Sequence, residues 1–392
     1  MAEFEPRERT FVAGAGTRLT DARGRSVFDA ISSVWVTIHG HGHPAIVEAV
    51  ARQAARLDHA TALGASNPVA EELAARLAAL TGLDYAFFAS DGASAIEAAL
   101  KMALQYWQRG GEPQRTKFAH LRASYHGDTA AAMSVSDIAA FKETYGALTF
   151  ATLAAEDLGE VLARDDVAAV VVEPRVQAAA GMRLVPEAWY AALRGKCAPL
   201  LIVDEIATGF GRTGAMFAFE SLGLAPDLLC LGKGITGGAL ALSATLATAR
   251  IYDAFLGTAS ERRQFFHGHS YAANPIACAA ALASLDLFER EATLAHAATL
   301  DAALGAMLAP FAAHARVREV RRAGLMCGIE LLAPGGDAAD AAAFARDVAA
   351  ALYERGHFTR PIGATIQLVP PLSSDSRDLA DFASALEEAL AA

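Results

Sequence analysis

The sequence predicts an α/β protein with a large domain built on a mostly parallel sheet and a second, smaller α+β domain. Short apolar runs alternate with segments of helix length through most of the chain, which is typical of strands joined by crossover helices. Polar residues and glycines follow those runs, and beyond about residue 290 the composition changes to alanine-rich helices. A chain of 392 residues is long enough for two domains.

The first elements are helices between about Ala45 and Leu80, where apolar residues recur at helical spacing. Asn67 before Pro68 fits an N-cap followed by proline at the first helical position. We therefore expect a helix to begin directly after Asn67.

Six short apolar runs follow, bounded by polar residues or glycine. They are YAFFAS, KFAHLRA, VAAVVVEP, PLLIVDEIATG, DLLCLGKG and ALSATLATA. Continuous apolar runs of this length suit strands that are buried on both faces. Because most are separated by helix-length segments, we expect crossover connections and a mostly parallel sheet.

The carboxyl ends of the predicted strands carry polar residues and glycines. DGASAIEAALKMALQYW follows the first run, SYHGDT the second, RVQ the third, EIATGFGRTG the fourth and Lys233 the fifth. Ligands of open α/β sheets bind at this edge. The sequence therefore predicts a ligand site there.

The last part of the chain predicts the smaller domain. Alanine-rich helices precede a strand pair in VREVRRAGLMCGIELL and a final helix after TRPIGATIQLVPPLSSD. We expect an N-terminal segment over 1–45, a large domain over 46–288 and a small domain over 289–392.

Composition argues against several classes of function. The net charge of -11 disfavours nucleic acid as a partner, because neutralising phosphates needs clustered Lys and Arg. The N-terminus has no apolar stretch of signal-peptide length, and no later segment approaches the roughly 20 apolar residues of a membrane span. We therefore expect a cytoplasmic protein without membrane contact. Cys197, Cys230, Cys278 and Cys327 lie far apart without metal-ligand spacing, which predicts buried thiols and no metal site.

Lys233 lies between two glycines in CLGKGITGG, and three roles are open to it: phosphate binding, covalent chemistry or an ordinary solvated loop. The phosphate-binding pattern GxxxxGK[ST] is absent, since its leading glycine is missing and Gly234 follows the lysine. The dinucleotide pattern GxGxxG fits poorly in GAGTRL near Gly14 and stands at the wrong place in GFGRTG at Gly209. An NAD-linked oxidoreductase is therefore disfavoured.

A covalent role for Lys233 makes definite demands on its surroundings. A lysine that forms a Schiff base with pyridoxal phosphate needs an acid at the pyridinium nitrogen, a phosphate cradle and an aromatic face on the ring. Asp204 ends one predicted strand, and Tyr125 follows another. Gly92 and Ala93 precede a helix whose positive end favours phosphate. Alone, each residue fits a cap, a turn or a core tyrosine, but one cofactor explains all of them.

Five further segments stand out in the sequence: SYHGDT, EPRVQ, DEIATGFGRTG, LGKGITGG and HGHSYAANPIACAAA. With these motifs the sequence resembles the class III pyridoxal-phosphate aminotransferases, and the resemblance covers nearly the whole chain. The resemblance implies the fold-type I architecture of these transferases, with a seven-stranded sheet and an N-terminal segment packed with the small domain. It also implies a homodimer with shared active sites.

The resemblance assigns the residues that hold the cofactor. Lys233 would be the Schiff-base lysine and then the base that moves the proton, and Asp204 would hold the pyridine nitrogen. Gly92 and Ala93 would bind the phosphate through their amides. Ser270 would reach the phosphate in the neighbouring subunit.

The same resemblance assigns the ring contacts. Tyr125 would stack on the cofactor ring. Glu173 and Gln177 would lie near the hydroxyl side of the ring and help to position Asp204.

It assigns the substrate contacts as well. Arg360 would pair with a substrate carboxylate, which suits the planar guanidinium group. Trp35 would line an apolar cleft for a nine-carbon chain. Arg212 is a second candidate near the substrate, with a structural ion pair as its alternative.

Within the class, the sequence is most similar to the adenosylmethionine-8-amino-7-oxononanoate aminotransferases of biotin synthesis. This predicts small-molecule substrates, namely an amino donor and a keto acceptor. The chain departs from that group in several places. Val34 stands where a tryptophan is usual, Ala93 stands where a serine is usual, and Gln367 stands near a position that often carries an aromatic residue in the family. The N-terminal segment is also short. These departures leave open the donor and the acceptor. The alternatives are another class III ω-aminotransferase, an aminomutase of the same fold, or a non-catalytic binding protein that keeps the fold.

Overall fold

The structure is a computed structural model that describes residues 9–156, 158–195, 199–335 and 338–391. Cys197 lies outside these ranges, and the other three cysteines are buried free thiols, as the sequence predicts. The strands in the described residues, numbered in chain order, are β1 (Phe11–Ala15), β2 (Arg18–Asp21), β3 (Ser26–Asp29), β4 (Tyr85–Ala89), β5 (Lys117–Leu121), β6 (Leu153–Ala155), β7 (Val167–Val172), β8 (Val176–Gln177), β9 (Arg183–Leu184), β10 (Leu200–Asp204), β11 (Leu228–Leu231), β12 (Ser243–Ala247), β13 (Val317–Ala323), β14 (Met326–Leu331), β15 (His357–Phe358) and β16 (Thr365–Leu368).

The helical elements are numbered in the same way. They are α1 (Ser32–Trp35), α2 (Pro44–Arg56), α3 (Pro68–Thr81), α4 (Gly92–Arg109), α5 (Ala130–Ser134), α6 (Ala139–Lys142), α7 (Leu158–Leu162), α8 (Glu187–Ala191), α9 (Ala218–Ser221), α10 (Ala249–Asp253), α11 (Pro275–Arg290), α12 (Thr293–Leu308), α13 (Ala338–Glu354) and α14 (Ser376–Ala391). Five 3-10 turns lie at Glu143–Leu148, Ala178–Ala180, Lys233–Thr236, Ala259–Glu261 and Ala309–Ala313 among the residues described.

The helix starts follow from capping residues. Asn67 caps α3 by accepting a hydrogen bond from the Ala70 amide, and Pro68 occupies the first turn, as predicted. Asp91 caps α4 through the Ser94 amide. Both helices begin where a short polar side chain satisfies an amide that has no acceptor within the helix.

The central sheet has seven strands in the order β4-β12-β11-β10-β7-β5-β6. The strand β12 is antiparallel to β11 and β4, and the other pairs are parallel. Residues 232–242, which join β11 to β12, are too few for a helical crossover, so the chain reverses direction there. The predicted α/β fold with a mostly parallel seven-stranded sheet is confirmed.

Both faces of this sheet are buried, which explains why its strands are continuously apolar. Ile202, Leu228 and Cys230 pack with α4 in one hydrophobic cluster. Val203 and Leu229 belong to the cluster on the opposite face. Successive residues of a strand point to opposite faces, so only a strand without polar positions fits between two cores.

The C-terminal residues form a separate three-stranded antiparallel sheet in the order β13-β14-β16. The N-terminal strands form a sheet in the order β1-β2-β3-β15, in which β3 is parallel to β15. The Val369 amide donates to the Ala30 carbonyl (2.7 Å) and the Leu372 amide to the Ile38 carbonyl (2.9 Å). The segment around Ala30–Ile38 and the segment around Val369–Leu372 are therefore connected by backbone hydrogen bonds.

One helical stretch, Thr293–Ala313, is long and apolar enough to cross a membrane by length and composition alone. The expectation that no segment approaches this limit is therefore wrong. One side of the stretch packs against the protein: Leu300, Leu304 and Leu308 are buried, and Asp301 pairs with Arg322.

Candidate active site

A cavity of about 460 Å³ lies at the carboxyl ends of β5, β7, β10 and β11 and at the N-terminus of α4. Its size and position suit a small-molecule site of an α/β sheet. The predicted residues that line it are Trp35, Gly92, Ala93, Tyr125, Glu173, Asp204 and Lys233.

Lys233 follows β11 directly and opens a 3-10 turn with a positive φ of 41°. A Cβ atom at Gly232 would lie 3.2 Å from Ile206, and one at Gly234 would lie 3.0 Å from Ile38. The flanking glycines therefore let the turn pack closely against its neighbours. Burial lowers the pKa of the Lys233 ammonium group, while the charges of Asp204 and Glu173 oppose that shift. A depressed pKa favours the neutral, nucleophilic amine.

Asp204 ends β10 and is held by two donors. His126 Nδ1 donates to its Oδ2 atom (2.7 Å), and the Ile206 amide donates to Oδ1 (3.0 Å). Burial disfavours the charged imidazole of His126, but the hydrogen bond and charge of Asp204 outweigh it and raise the pKa of His126. The His126 Nε2 atom is buried and has no hydrogen-bond partner in the described part of the chain. The two hydrogen bonds fix the orientation of the Asp204 carboxyl group at the cavity wall.

The sequence-based reasoning missed His126, although this residue stands beside Tyr125 in SYHGDT. The described hydrogen bonds of Glu173 and Gln177 go to groups other than Asp204, so their role in positioning Asp204 stays a prediction. Glu173 Oε2 accepts from the Tyr125 amide (3.0 Å), and Gln177 Nε2 donates to the Arg122 carbonyl (2.8 Å). Both side chains are thus engaged with the segment after β5, and Gln177 does not line the cavity.

Tyr125 is half-buried at the cavity wall, with Phe141 packed edge-on against its ring at 5.5 Å. Burial, followed by the charge and hydrogen bond of Asp128, raises the pKa of the phenol far above its ordinary value. Burial also raises the pKa of Glu173 to about 7, against the opposing charge of His126. Tyr125 is therefore a neutral aromatic wall, and Glu173 is a carboxyl group that titrates near neutral pH.

The N-terminus of α4 also lines the cavity. The first amides of a helix have no acceptor within it, and those of Gly92 and Ala93 lie at the cavity. A Cβ atom at Gly92 would lie 2.9 Å from Ile206, and one at Gly127 would lie 2.5 Å from Ala93. Glycine is required at both positions because the surrounding segments approach so closely. Helix N-termini of this kind bind phosphate.

Trp35 is 5% exposed, and its ring centroid lies 5.2 Å from Lys233 Nζ. Its Nε1 atom donates to Gln367 Oε1 (2.9 Å), and Gln367 Nε2 donates to the Arg360 carbonyl (2.5 Å). Gln367 therefore connects the aromatic wall to the segment that carries Arg360. Arg360 is exposed and does not line the cavity, but its charge lowers the pKa of Tyr125 against the larger upward shifts.

The structure does not place Arg212 at the substrate site. Its side chain is fully buried away from the cavity and donates to the carbonyls of Pro370 (2.6 Å) and Thr37 (2.7 Å). Burial lowers its pKa to about 9, with an opposing contribution from Asp29. Arg212 joins the N-terminal and C-terminal segments, and its hydrogen-bond partners are backbone carbonyls rather than a carboxylate.

Ser270 is exposed and lies outside the cavity lining of its own chain. Its carbonyl accepts from His59 Nε2 (2.7 Å). Its predicted contact with the neighbouring subunit stays a prediction.

The fold and the cavity define an α/β enzyme with a lysine and a buried acid at the ends of adjacent strands. The family profile of class III aminotransferases matches residues 4–390. An adenosylmethionine-8-amino-7-oxononanoate aminotransferase of Nitratidesulfovibrio vulgaris is 42% identical over 94% of this chain and 74% of that protein. The crystal structure of the enzyme of that name from Methanocaldococcus jannaschii is 37% identical and superimposes with a TM-score of 0.92 over 99% of this chain and 94% of that one. A PLP-bound amine transaminase from an uncultivated Pseudomonas species is 34% identical, with a TM-score of 0.94 over 100% of this chain and 96% of that chain.

The chain belongs to the class III aminotransferases. The predictions of an enzyme, an aminotransferase and the fold-type I architecture are confirmed. Pyridoxal phosphate is the cofactor of this class, and the cavity fits it: a lysine, a buried acid with its own donor, a neutral aromatic ring and a helix N-terminus surround one space.

Proposed function

We propose that this chain transaminates 8-amino-7-oxononanoate to 7,8-diaminononanoate in biotin biosynthesis, with adenosylmethionine as amino donor. The observation that carries the chemistry is the placement of Lys233 and Asp204 in one cavity, at the ends of adjacent strands. The names of the relatives from N. vulgaris and M. jannaschii support this donor and this acceptor.

When bound, pyridoxal phosphate would supply an electron sink for the electron pair left on the substrate carbon after its proton is removed, and would carry the amino group from donor to acceptor. Lys233 would hold the cofactor covalently, and its free amine would move the proton of the reacting carbon. Burial of Lys233 favours the neutral amine that this proton transfer needs. Asp204, fixed by His126, would keep the ring nitrogen of the cofactor protonated.

The remaining cavity residues bind and orient. Tyr125 stacks on the ring, and the amides of Gly92 and Ala93 bind the phosphate. Glu173 and Gln177 hold the segment around Tyr125 through the contacts of their side chains, near the hydroxyl side of the ring.

The substrate is bound at the side of the cavity formed by Trp35. Trp35 offers an apolar wall to the carbon chain of the acceptor. Arg360 pairs with the substrate carboxylate, and its exposed position and electrostatic effect on Tyr125 support a place near the cavity mouth.

We further propose a cytoplasmic homodimer that binds neither nucleic acid nor membrane. In this dimer, Ser270 of each subunit contacts the phosphate held by the other, which agrees with its exposed position outside its own cavity. We propose the division into an N-terminal segment (1–45), a large domain (46–288) and a small domain (289–392). The central sheet lies within 46–288, while the N-terminal sheet takes its strand β15 from 289–392, which supports packing of the N-terminal segment with the small domain.

A second candidate is an ω-aminotransferase or aminomutase of this class with another donor or acceptor. Two observations favour it: Val34, which is 40% exposed beside Trp35, is not aromatic, and Gln367 places an amide beside the indole. The similarity to the Pseudomonas amine transaminase agrees with this candidate.

Half-reaction spectroscopy of the purified holoenzyme tests these proposals. The visible absorbance of the lysine-bound cofactor should disappear with donor and return with acceptor. Lys233→Ala should abolish turnover, whereas Lys117→Ala, an exposed lysine paired with Asp166, should not. A Lys233→Ala protein that turns over contradicts the chemistry. If adenosylmethionine leaves the spectrum unchanged while lysine or another amine changes it, the second candidate replaces the first.

A further inference from the structure

The segment Ser32–Trp35 has an unusual backbone. Its four residues have φ angles of 49°, 49°, 66° and 70°, and none of them is glycine. L-residues in this left-handed region suffer a steric clash between Cβ and the backbone, so a run of four is strained. Such a turn persists only where its surroundings hold it.

Asp29 makes two of the polar contacts that hold this turn, both to Ser33. Its carboxylate is fully buried, and Oδ1 accepts from the Ser33 amide (3.0 Å). Its Oδ2 atom accepts from the Ser33 hydroxyl (2.9 Å) and from His41 Nε2 (2.8 Å). At the other side of the turn, the Ser32 hydroxyl donates to the Val369 carbonyl (2.7 Å).

The turn ends at Trp35 and so determines where its indole lies. The Trp35 amide closes the turn on the Ile31 carbonyl (2.7 Å), and the side chain is then fixed by Gln367. The indole lines the cavity beside Lys233, whereas Asp29 does not reach the cavity. Asp29 therefore does not contact substrate in the cavity, and its two contacts with Ser33 connect it to the turn that carries Trp35.

We propose that Asp29 is a positioning residue, whose carboxylate holds the left-handed turn that fixes the Trp35 wall at the substrate side of the cavity. The proposal rests on the proposed function in one respect, since it takes the apolar chain of the keto acceptor as the group that meets this wall. Loss of the carboxylate lets the turn relax towards ordinary backbone angles and moves the indole.

The test compares Asp29→Asn with Asp21→Asn in the holoenzyme. Asp21 is an equally buried aspartate of the N-terminal segment, but its carboxylate binds Arg25 and the amides of Arg23 and Arg25. Asp29→Asn should raise the KM for the keto acceptor about tenfold or more with a smaller change in kcat, because small displacements of positioning groups weaken productive binding. Asp21→Asn should leave KM unchanged.

Acrylamide quenching of tryptophan fluorescence gives a readout that does not depend on activity. The chain has three tryptophans, so Trp35→Phe isolates the contribution of Trp35. Asp29→Asn should increase quenching in the wild-type background and leave it unchanged in the Trp35→Phe background. If the acceptor proves not to be 8-amino-7-oxononanoate, the proposed function fails while this comparison still decides the role of Asp29.

Rescue by glycine separates positioning from general destabilisation. Val34 has a φ of 66°, which glycine adopts without the steric cost. Adding Val34→Gly to Asp29→Asn should therefore bring both the KM and the quenching part of the way back to the wild-type values. If Asp29→Asn does not fold, Ser33→Ala removes one of its contacts and should shift both readouts in the same direction. Unchanged KM and quenching, no rescue, or equal effects of Asp21→Asn would overturn the proposal.

Discussion

His126→Leu is expected to destabilise the protein and slow transamination through Asp204. The substitution keeps an apolar volume and removes the Nδ1 donor that lies 2.7 Å from the Asp204 carboxylate. Because His126 Nε2 has no partner in the described residues, the contact with Asp204 is the side-chain hydrogen bond that is lost. Breaking a buried charge pair on one side costs about 3–5 kcal/mol. Loss of orientation at Asp204 should reduce the half-reaction rate about ten- to a hundredfold.

The loss of stability in His126→Leu should depend on pH, in a direction that follows from the pKa of His126. The folded-state pKa of His126 lies above the ordinary value of 6.5, so the protonated residue stabilises the folded state. That contribution is fully present below pH 6.5 and is lost as the pH rises through the folded-state pKa. The stability difference between wild type and His126→Leu should therefore shrink as the pH is raised above 6.5.

His120→Leu is the matched control, since His120 is also buried but contacts Thr152 and the Leu121 carbonyl instead of Asp204. Burial lowers the pKa of His120 to about 4, which makes up to about 3 kcal/mol of stability pH-dependent. This contribution is present above pH 6.5 and is lost as the pH falls towards 4, the opposite direction to that of His126. Urea unfolding of the apoprotein across this pH range measures both. Equal pH slopes for the two variants, or a His126→Leu protein as stable and active as wild type, would refute the reasoning.

Three further predictions concern binding and stability. Arg360→Met should raise the KM for carboxylate substrates about tenfold or more and change the urea midpoint little, because a charge-assisted pair contributes about 1.5–3 kcal/mol to binding. An unchanged KM in steady-state kinetics would contradict the assignment of Arg360 to the substrate carboxylate. Gly238→Ala should lower the midpoint of thermal unfolding and the amount of cofactor that the protein retains, since Gly238 has a φ of 92° and a Cβ atom there would lie 2.7 Å from the Thr37 backbone. A variant that melts at the wild-type temperature would show that this close approach is not rigid. Asn67→Ala should lower the free energy of unfolding measured in urea by about 1–3 kcal/mol, because Asn67 caps α3 and its Nδ2 atom donates to the Ala273 carbonyl (3.1 Å). A decrease of less than about 0.5 kcal/mol would count against this role of Asn67.

The sequence determined the part of the fold and site that depends on local pattern. Apolar runs predicted the main strands because a strand covered on both faces has no polar positions, and the residues after those runs then met at one edge of the sheet. Lys233, Asp204 and Tyr125 therefore line one cavity, as the positions of the runs imply. The cap at Asn67 is likewise a local property.

The tertiary structure alone decided contacts between residues that are distant in the chain. Trp35 and Gln367 are 332 positions apart, and His126 and Asp204 are 78 apart, so no local pattern pairs them. The burial of Arg212 against two backbone carbonyls removed it from the substrate site for the same reason. None of the residues in the left-handed turn that ends at Trp35 prefers this backbone conformation. The turn forms nevertheless because a buried carboxylate and a neighbouring chain segment hold it. Local preference decides structure only where the surrounding packing does not oppose it.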